Sequence, residues 1–143
     1  MKRTLLKLLF AGLAALMVGA SASAAERIKV VYHLVEGIDQ AARAMANIRN
    51  HLRAEPDTQI VVVAHGEGIR FLLKGAQDRN NRPFDSAISE LAAQGVDFRV
   101  CHNTLTAHRI PESQLVPEAK LVPSGVAEVA RLQAREGFVY LRP

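Results

Sequence analysis

The chain has 143 residues, of which 49% are hydrophobic and 22% are charged, and this length suits one globular domain with a real core better than two. The formal net charge of +4 includes three basic residues in the first 24 positions, so the rest of the chain holds 15 basic and 14 acidic residues. That near balance gives no support to a nucleic-acid or membrane-surface partner.

The first residues have the pattern of an export signal. Three basic side chains stand near the start, Lys2, Arg3 and Lys7. An uncharged apolar run follows over residues 8–20, and then the small-residue stretch ASASAA. This pattern predicts a signal peptide over residues 1–24, cleaved after Ala24 or Ala25, and a periplasmic protein. Since the run is shorter than the roughly 20 residues that cross a bilayer, we expect no membrane association after cleavage.

The first half of the remaining chain alternates between strand and helix patterns. Residues 27–35 are rich in β-branched types and predict a strand, and apolar residues at helical spacing predict a helix over 38–52. The continuous apolar run at 59–66 predicts a central strand covered on both faces. A short helix ending near Gly75 and an exposed polar loop over 76–83 follow.

The second half continues the same alternation. The spacing predicts a helix over 84–94 and a strand over 96–101. Asn103 is then the expected N-cap of a short helix through His108. A brief strand at 119–122, a helix capped by Ser124, and a final strand at 138–141 complete the chain.

This alternation predicts an α/β fold: a single doubly wound, mostly parallel five-stranded sheet with helices on both faces. Such sheets place their functional sites outside the carboxyl ends of the strands. The motifs AHGEG, from residue 64, and CHNTL, from residue 101, each follow a predicted strand. We therefore expect the two motifs at the same edge of the sheet.

Cys101 is the only cysteine, and two interpretations of it stay open. An exported chain with one cysteine cannot form an internal disulfide, although the compartment is oxidising. N–H groups of the following turn, and His102 if protonated, would favour a reactive thiolate. A cysteine at a strand end is also often a small buried residue that only fills space.

The other candidate residues surround the two motifs. His65 would either line the site as a polar or acid–base group, or have a structural role in which its imidazole is hydrogen-bonded to the backbone of a neighbouring loop. Gly66 and Gly68 begin a dinucleotide-binding pattern, but Phe71 stands where its third glycine is needed, so we expect no nucleotide cofactor. The cysteine and histidines lack a metal-ligand spacing, so we expect no metal site.

Three stretches together resemble the DsrE/DsrF-like family, in particular its exported branch: VVVAHGEGIRFLL, LAAQGVDFRVCHNTL and VPSGVAEVARLQAREGFVYLRP. The resemblance extends from about residue 27 to residue 143 and thus over nearly all of the predicted domain, residues 25–143. It implies a compact doubly wound sheet that assembles into homo-oligomers, and a sulfur-relay protein whose cysteine accepts a sulfane sulfur as a persulfide. Matched to this sequence, the acceptor is Cys101.

The predicted function is therefore that of a periplasmic sulfur-carrier or sulfur-relay protein with thiol or persulfide proteins as donor and acceptor. Cys101 is the candidate catalytic residue, and the binding residues are His65, Gly66, His102 and Asn103. The alternative is a non-catalytic oligomeric binding protein in which Cys101 is structural. The sequence leaves open whether the chain is an enzyme.

Overall fold

The computed structural model describes residues 26–143, and the predicted signal peptide lies outside them. Strands and helices alternate along the described chain. The strands are β1 Lys29–Leu34, β2 Gln59–Ala64, β3 Asp97–Cys101, β4 Ala119–Val122 and β5 Val139–Leu141. The α-helices are α1 Ile38–Ala54, α2 Phe84–Ala93, α3 His102–His108 and α4 Gly125–Glu136. The short helix predicted after β2 is a 3-10 segment, Gly66–Leu72.

The five strands form one sheet in the order β4-β3-β2-β1-β5. Every strand pair is parallel, so the predicted α/β fold is confirmed, with a sheet that is parallel throughout. The chain steps outward from β1 to β4 and then returns to place β5 on the free side of β1.

The two faces of the sheet differ in what covers them. On the first, here called the α1 face, side chains of β1, β2 and β3 join residues of α1, α2, α3 and the 3-10 segment in a large apolar core. On the opposite face, the α4 face, a small second cluster packs under one helix: Val31, Val61, Val63, Val129, Leu132 and Phe138. Helices lie on both faces, as predicted, but most of the core lies on one.

Aromatic packing fills the centre of the α1 face. Phe98 on β3 and Phe71 in the 3-10 segment are fully buried and meet edge to face, with ring centroids 6.2 Å apart. Phe84 also packs edge to face against Phe71, with ring centroids 5.8 Å apart. Burial of one large apolar side chain stabilises a fold by about 1.5–3 kcal/mol, so this group anchors the domain.

Ion pairs join α4 to β3 in the outer part of the sheet. Arg99 on β3 pairs with Asp97 at 2.7 Å and also with Glu128 on α4. Arg131 then pairs with the same Glu128 at 2.8 Å. Within residues 26–143 no helix has both the length and the apolar character that crossing a membrane requires.

Candidate functional site

The site lies at the carboxyl edge of the sheet, where β2 and β3 end side by side. Ala64 and Val100 are paired in the parallel register, so the residues that follow them, His65 and Cys101, are neighbours. Because side chains alternate along a strand, both lie on the α4 face. The structure thus brings the AHGEG and CHNTL motifs together at one edge.

Cys101 closes β3 and begins the turn into α3. Its side chain is only 5% exposed. Helix α3 starts at His102, and Cys101 itself occupies the N-cap position, so the prediction of Asn103 as the N-cap was wrong. The sulfur therefore lies at the end of the helix where N–H groups are unpaired and the helix dipole is positive.

The polar groups around the sulfur favour its ionised form. Burial alone would raise the pKa of the Cys101 thiol, but the Thr104 hydroxyl and the N–H groups of Gly125, Thr104 and Asn103 outweigh it and lower that pKa. Among the described residues no regular cap hydrogen bond reaches this side chain. The thiol is thus buried, and its pKa lies below the ordinary value for a cysteine.

Gly125, the first residue of α4, lets that helix approach the site. A Cβ atom on Gly125 would lie 2.9 Å from the His65 Cβ and 3.2 Å from the Cys101 Cβ. Real Cβ atoms almost never approach another atom as closely as the first distance, and the second is tighter than most such contacts, so a side chain here would force α4 and these two residues apart. Gly125 was not among the predicted site residues, although a Ser-Gly pair at a helix start was a possible signal in the sequence.

Two further contacts tighten the turn after β2. Gly66, a predicted site residue, adopts a φ of +54° and donates its N–H to the Thr104 hydroxyl oxygen at 3.1 Å. A Cβ on Gly68 would lie 2.2 Å from the Leu34 carbonyl oxygen, so this position requires glycine. Gly66 therefore contacts the CHNTL motif through Thr104, a residue that was not predicted in the site.

The other two predicted binding residues have exposed side chains. His102 is exposed and its Nε2 lies 3.7 Å from the Glu112 carboxylate, which puts it with the chain after α3 rather than with the thiol. Asn103 is exposed as well, and it takes part through its backbone N–H, which also donates to the Pro123 carbonyl oxygen at 3.3 Å.

His33 and Tyr140 join the site although neither was predicted there. The Nε2 of His33, on β1, lies 2.7 Å from the Nε2 of His65, and its Nδ1 lies 2.9 Å from the Tyr140 hydroxyl on β5. The sequence held a signal for His33, because this residue stands near the end of β1 just as His65 stands directly after β2. Within residues 26–143 no three His, Cys, Asp or Glu side chains are grouped so as to hold a metal ion.

Comparisons with known proteins agree with this architecture. The model of the DsrE/DsrF-like family matches residues 11–142. The structure of MTH1491 from Methanobacterium thermoautotrophicum, described as a protein of unknown function, is similar with a TM-score of 0.71 and 31% identity, covering 81% of this chain and 99% of that one. The E. coli ychN protein has a TM-score of 0.64 at 14% identity, covering 82% of this chain and 98% of its own, and supports the fold alone. No curated protein matches the sequence.

Proposed function

The chain belongs to the DsrE/DsrF-like family, and from that membership and the cysteine site we propose that it is a periplasmic sulfur-carrier or sulfur-relay protein. It holds sulfane sulfur as a persulfide on Cys101. The observation that carries the proposal is the group of donors, Thr104, Gly125 and Asn103, which lowers the pKa of this buried thiol. A thiolate is the nucleophile of sulfur exchange, so the donors supply what the first step needs.

The proposed transfer has two exchange steps. The Cys101 thiolate attacks the outer sulfur of a donor persulfide, a new S–S bond forms, and the donor's own S–S bond breaks so that its thiolate leaves. An acceptor thiolate then attacks the outer sulfur now held on Cys101, and the Cys101 thiolate leaves. Neither step needs an oxidant, a reductant or a bound cofactor, because sulfur keeps its oxidation level through the relay.

Partners and location are part of the same proposal. Donor and acceptor are thiol or persulfide proteins, and residues 1–24 direct export. Exposed apolar residues support assembly into a homo-oligomer. They are Val139 and Leu141 on the edge strand β5, and Ile28 just before β1. Because side chains alternate between the two faces along a strand, these three side chains belong to the α1 face, where a second subunit would cover them.

The test is uptake of sulfur by the folded protein. Incubation with inorganic polysulfide, followed by intact mass measurement, is expected to show the gain of one sulfur atom that a reductant removes. The Cys101→Ser variant is the matched control and gains none. A wild-type protein that gains no sulfur, and whose thiol resists alkylation until the protein is unfolded, would contradict the proposal.

One observation favours a second candidate, a non-catalytic oligomeric binding protein. Cys101 is 5% exposed, as expected of a cysteine that fills space at a strand end. In that case Cys101→Ala would leave binding and assembly intact, and the alkylation rate would follow the rate of unfolding. The same mass and alkylation measurements therefore separate the two candidates.

A further inference from the structure

The two histidines of the site meet at their ring nitrogens. The Nε2 atoms of His33 and His65 are 2.7 Å apart, and their ring centroids are 4.8 Å apart. On its other side, His33 is held by the Tyr140 hydroxyl at 2.9 Å. Three titratable side chains thus form a continuous hydrogen-bonded line from β5, across β1, to the end of β2.

This line ends at His65, whose Cβ lies near the Cβ of Cys101. The Cβ atoms of His65 and Cys101 lie 2.9 Å and 3.2 Å from the point where a Cβ on Gly125 would be, so the two Cβ atoms are within about 6 Å of each other. The other end is open, because Tyr140 is partly exposed. A route for protons therefore runs between solvent at Tyr140 and the neighbourhood of the thiol.

The Nε2–Nε2 contact restricts how many protons the pair can hold. One nitrogen must carry the hydrogen and the other must offer a lone pair, so two fully protonated rings cannot keep the contact. Burial lowers the pKa of both imidazoles, and His65 and Arg142 lower that of His33 further. Neutral rings in this arrangement can pass a proton from one to the other.

The charged groups near the pair are few. Arg142, directly after β5, approaches His33 and is itself paired with Glu36, which follows β1. Helix α4 faces His65 with Gly125, and β3 presents Cys101. Glu67, two residues after His65, pairs instead with Arg70 at 3.0 Å. No described carboxylate hydrogen-bonds either ring, so the pair is free to gain and release protons during a reaction.

We propose that His65 is the acid–base group of the cysteine site and that His33 and Tyr140 are positioning residues that exchange its protons with solvent. The inference rests on the proposed function. When Cys101 takes the outer sulfur of a donor persulfide, the expelled thiolate receives a proton from His65. His33 replaces that proton across the Nε2–Nε2 contact, and Tyr140 passes one from solvent to His33. The sum is a Cys101 thiolate, a donor persulfide and one solvent proton giving a Cys101 persulfide and a free donor thiol.

The test is single-turnover transfer from cysteine persulfide to the protein, followed by quenching and intact mass from about pH 5 to about pH 9. His65→Asn is expected to slow transfer on the order of 100-fold, the size of a lost acid–base group. His33→Asn is expected to slow it about tenfold and to shift the acidic limb of the pH profile. The pH dependence of Cys101 alkylation stays as in the wild type, because the donors around the sulfur are untouched.

The matched control is His51→Gln. His51 is hydrogen-bonded to the Tyr32 hydroxyl at 3.0 Å, so it is a second histidine–tyrosine pair, and it lies outside the site. It is expected to keep the wild-type rate and profile. A His33→Asn protein with that same rate and profile would overturn the inference while leaving the proposed function standing. A wild-type protein that never takes up sulfur would overturn both.

A measurement on the wild-type protein does not depend on variants that fold. Nitrogen-15 NMR of the imidazoles is expected to show His33 and His65 titrating together, with a scalar coupling between their Nε2 atoms. Independent titration of the two rings would show that no proton is shared, and it would overturn the inference even if sulfur transfer is observed.

Discussion

The two faces of the sheet have different compositions and different tasks. The α1 face holds a broad apolar core under three helices, with aromatic rings at its centre. The α4 face holds a small apolar cluster, an ion-pair group around Arg99, and at its carboxyl edge the cysteine and the histidine pair. Most of the burial that stabilises the fold is therefore separate from the polar groups of the site.

This separation explains how a small domain can tolerate a polar site. A polar group costs free energy when it is buried, and the cost is lower where the cover is thin and donors are close. On the α4 face the N-terminus of α4 supplies such a donor, because it brings the Gly125 N–H close to Cys101. Variants of each face test this difference.

The largest effect is expected on the α1 face. Phe98→Ala removes a fully buried ring that packs on Phe71, so the free energy of unfolding falls by about 3–5 kcal/mol, measured by urea denaturation. Val126→Ala, on the first turn of α4 and 60% exposed, is the control and changes it by less than about 0.5 kcal/mol. Similar losses in both variants would contradict the contrast between the faces.

A smaller effect is expected where α4 approaches the site. Gly125→Ala forces a Cβ against His65 and Cys101, so the free energy of unfolding falls by about 1–3 kcal/mol and the pKa of the thiol rises as its donor moves away. Alkylation rates against pH report the second change.

Gly137→Ala is the matched control for that variant. Gly137 ends α4 with a φ of +72°, and beyond its chain neighbours no atom lies within 4 Å of the place that a Cβ would take there. This substitution costs stability through backbone strain but should leave the alkylation profile of Cys101 as it is. If both glycine variants shifted the thiol equally, close approach at Gly125 would not be the cause.

A third effect concerns the hydroxyl that links the two motifs. Thr104→Val removes a donor to the sulfur, so the pKa of Cys101 rises and alkylation at neutral pH slows about tenfold. Thr106→Val, on the exposed side of the same helix, is the control and should alkylate at the wild-type rate. Equal rates in wild type and Thr104→Val would mean that the backbone donors act alone.

The smallest effect is a pH dependence of stability from the histidine pair. Folding lowers the pKa of His33 and His65 below the ordinary 6.5, so the unfolded chain binds protons first as the pH falls. The free energy of unfolding is therefore constant above about pH 7 and decreases below about 6.5. His33→Asn should flatten that decrease in urea titrations at several pH values, and an unchanged slope would contradict the assignment.

The sequence predicted the fold well because its signals are local. The uninterrupted apolar run of β2 and the helical spacing of apolar residues in α1 indicate which side chains are buried. The alternation of strands with helices then restricts the possible sheet topologies. The start of α3 was the exception. Asn103 is the better N-cap by side-chain chemistry, but β3 continues through Cys101, and the chain turns into the helix directly after it.

The site was predictable only in part, for a physical reason. His65 and Cys101 follow strands and could be placed at one edge from topology alone. His33 could have been selected from its place near the end of β1, but Tyr140 and Gly125 come from β5 and α4, far away along the chain, and no local pattern indicates that they join the site. His102 was predicted because it follows Cys101 in the sequence, but the side chains of consecutive residues point in different directions.

The glycine at position 125 is also informative about other proteins with this fold. Because any Cβ there would separate α4 from Cys101, a chain with this fold and another residue at the equivalent position must arrange its cysteine differently. A glycine directly after the helix-capping serine, together with the strand-end cysteine and histidine, is therefore a marker that can be read in an aligned sequence. It would separate relatives built to activate a thiol from relatives that share only the sheet.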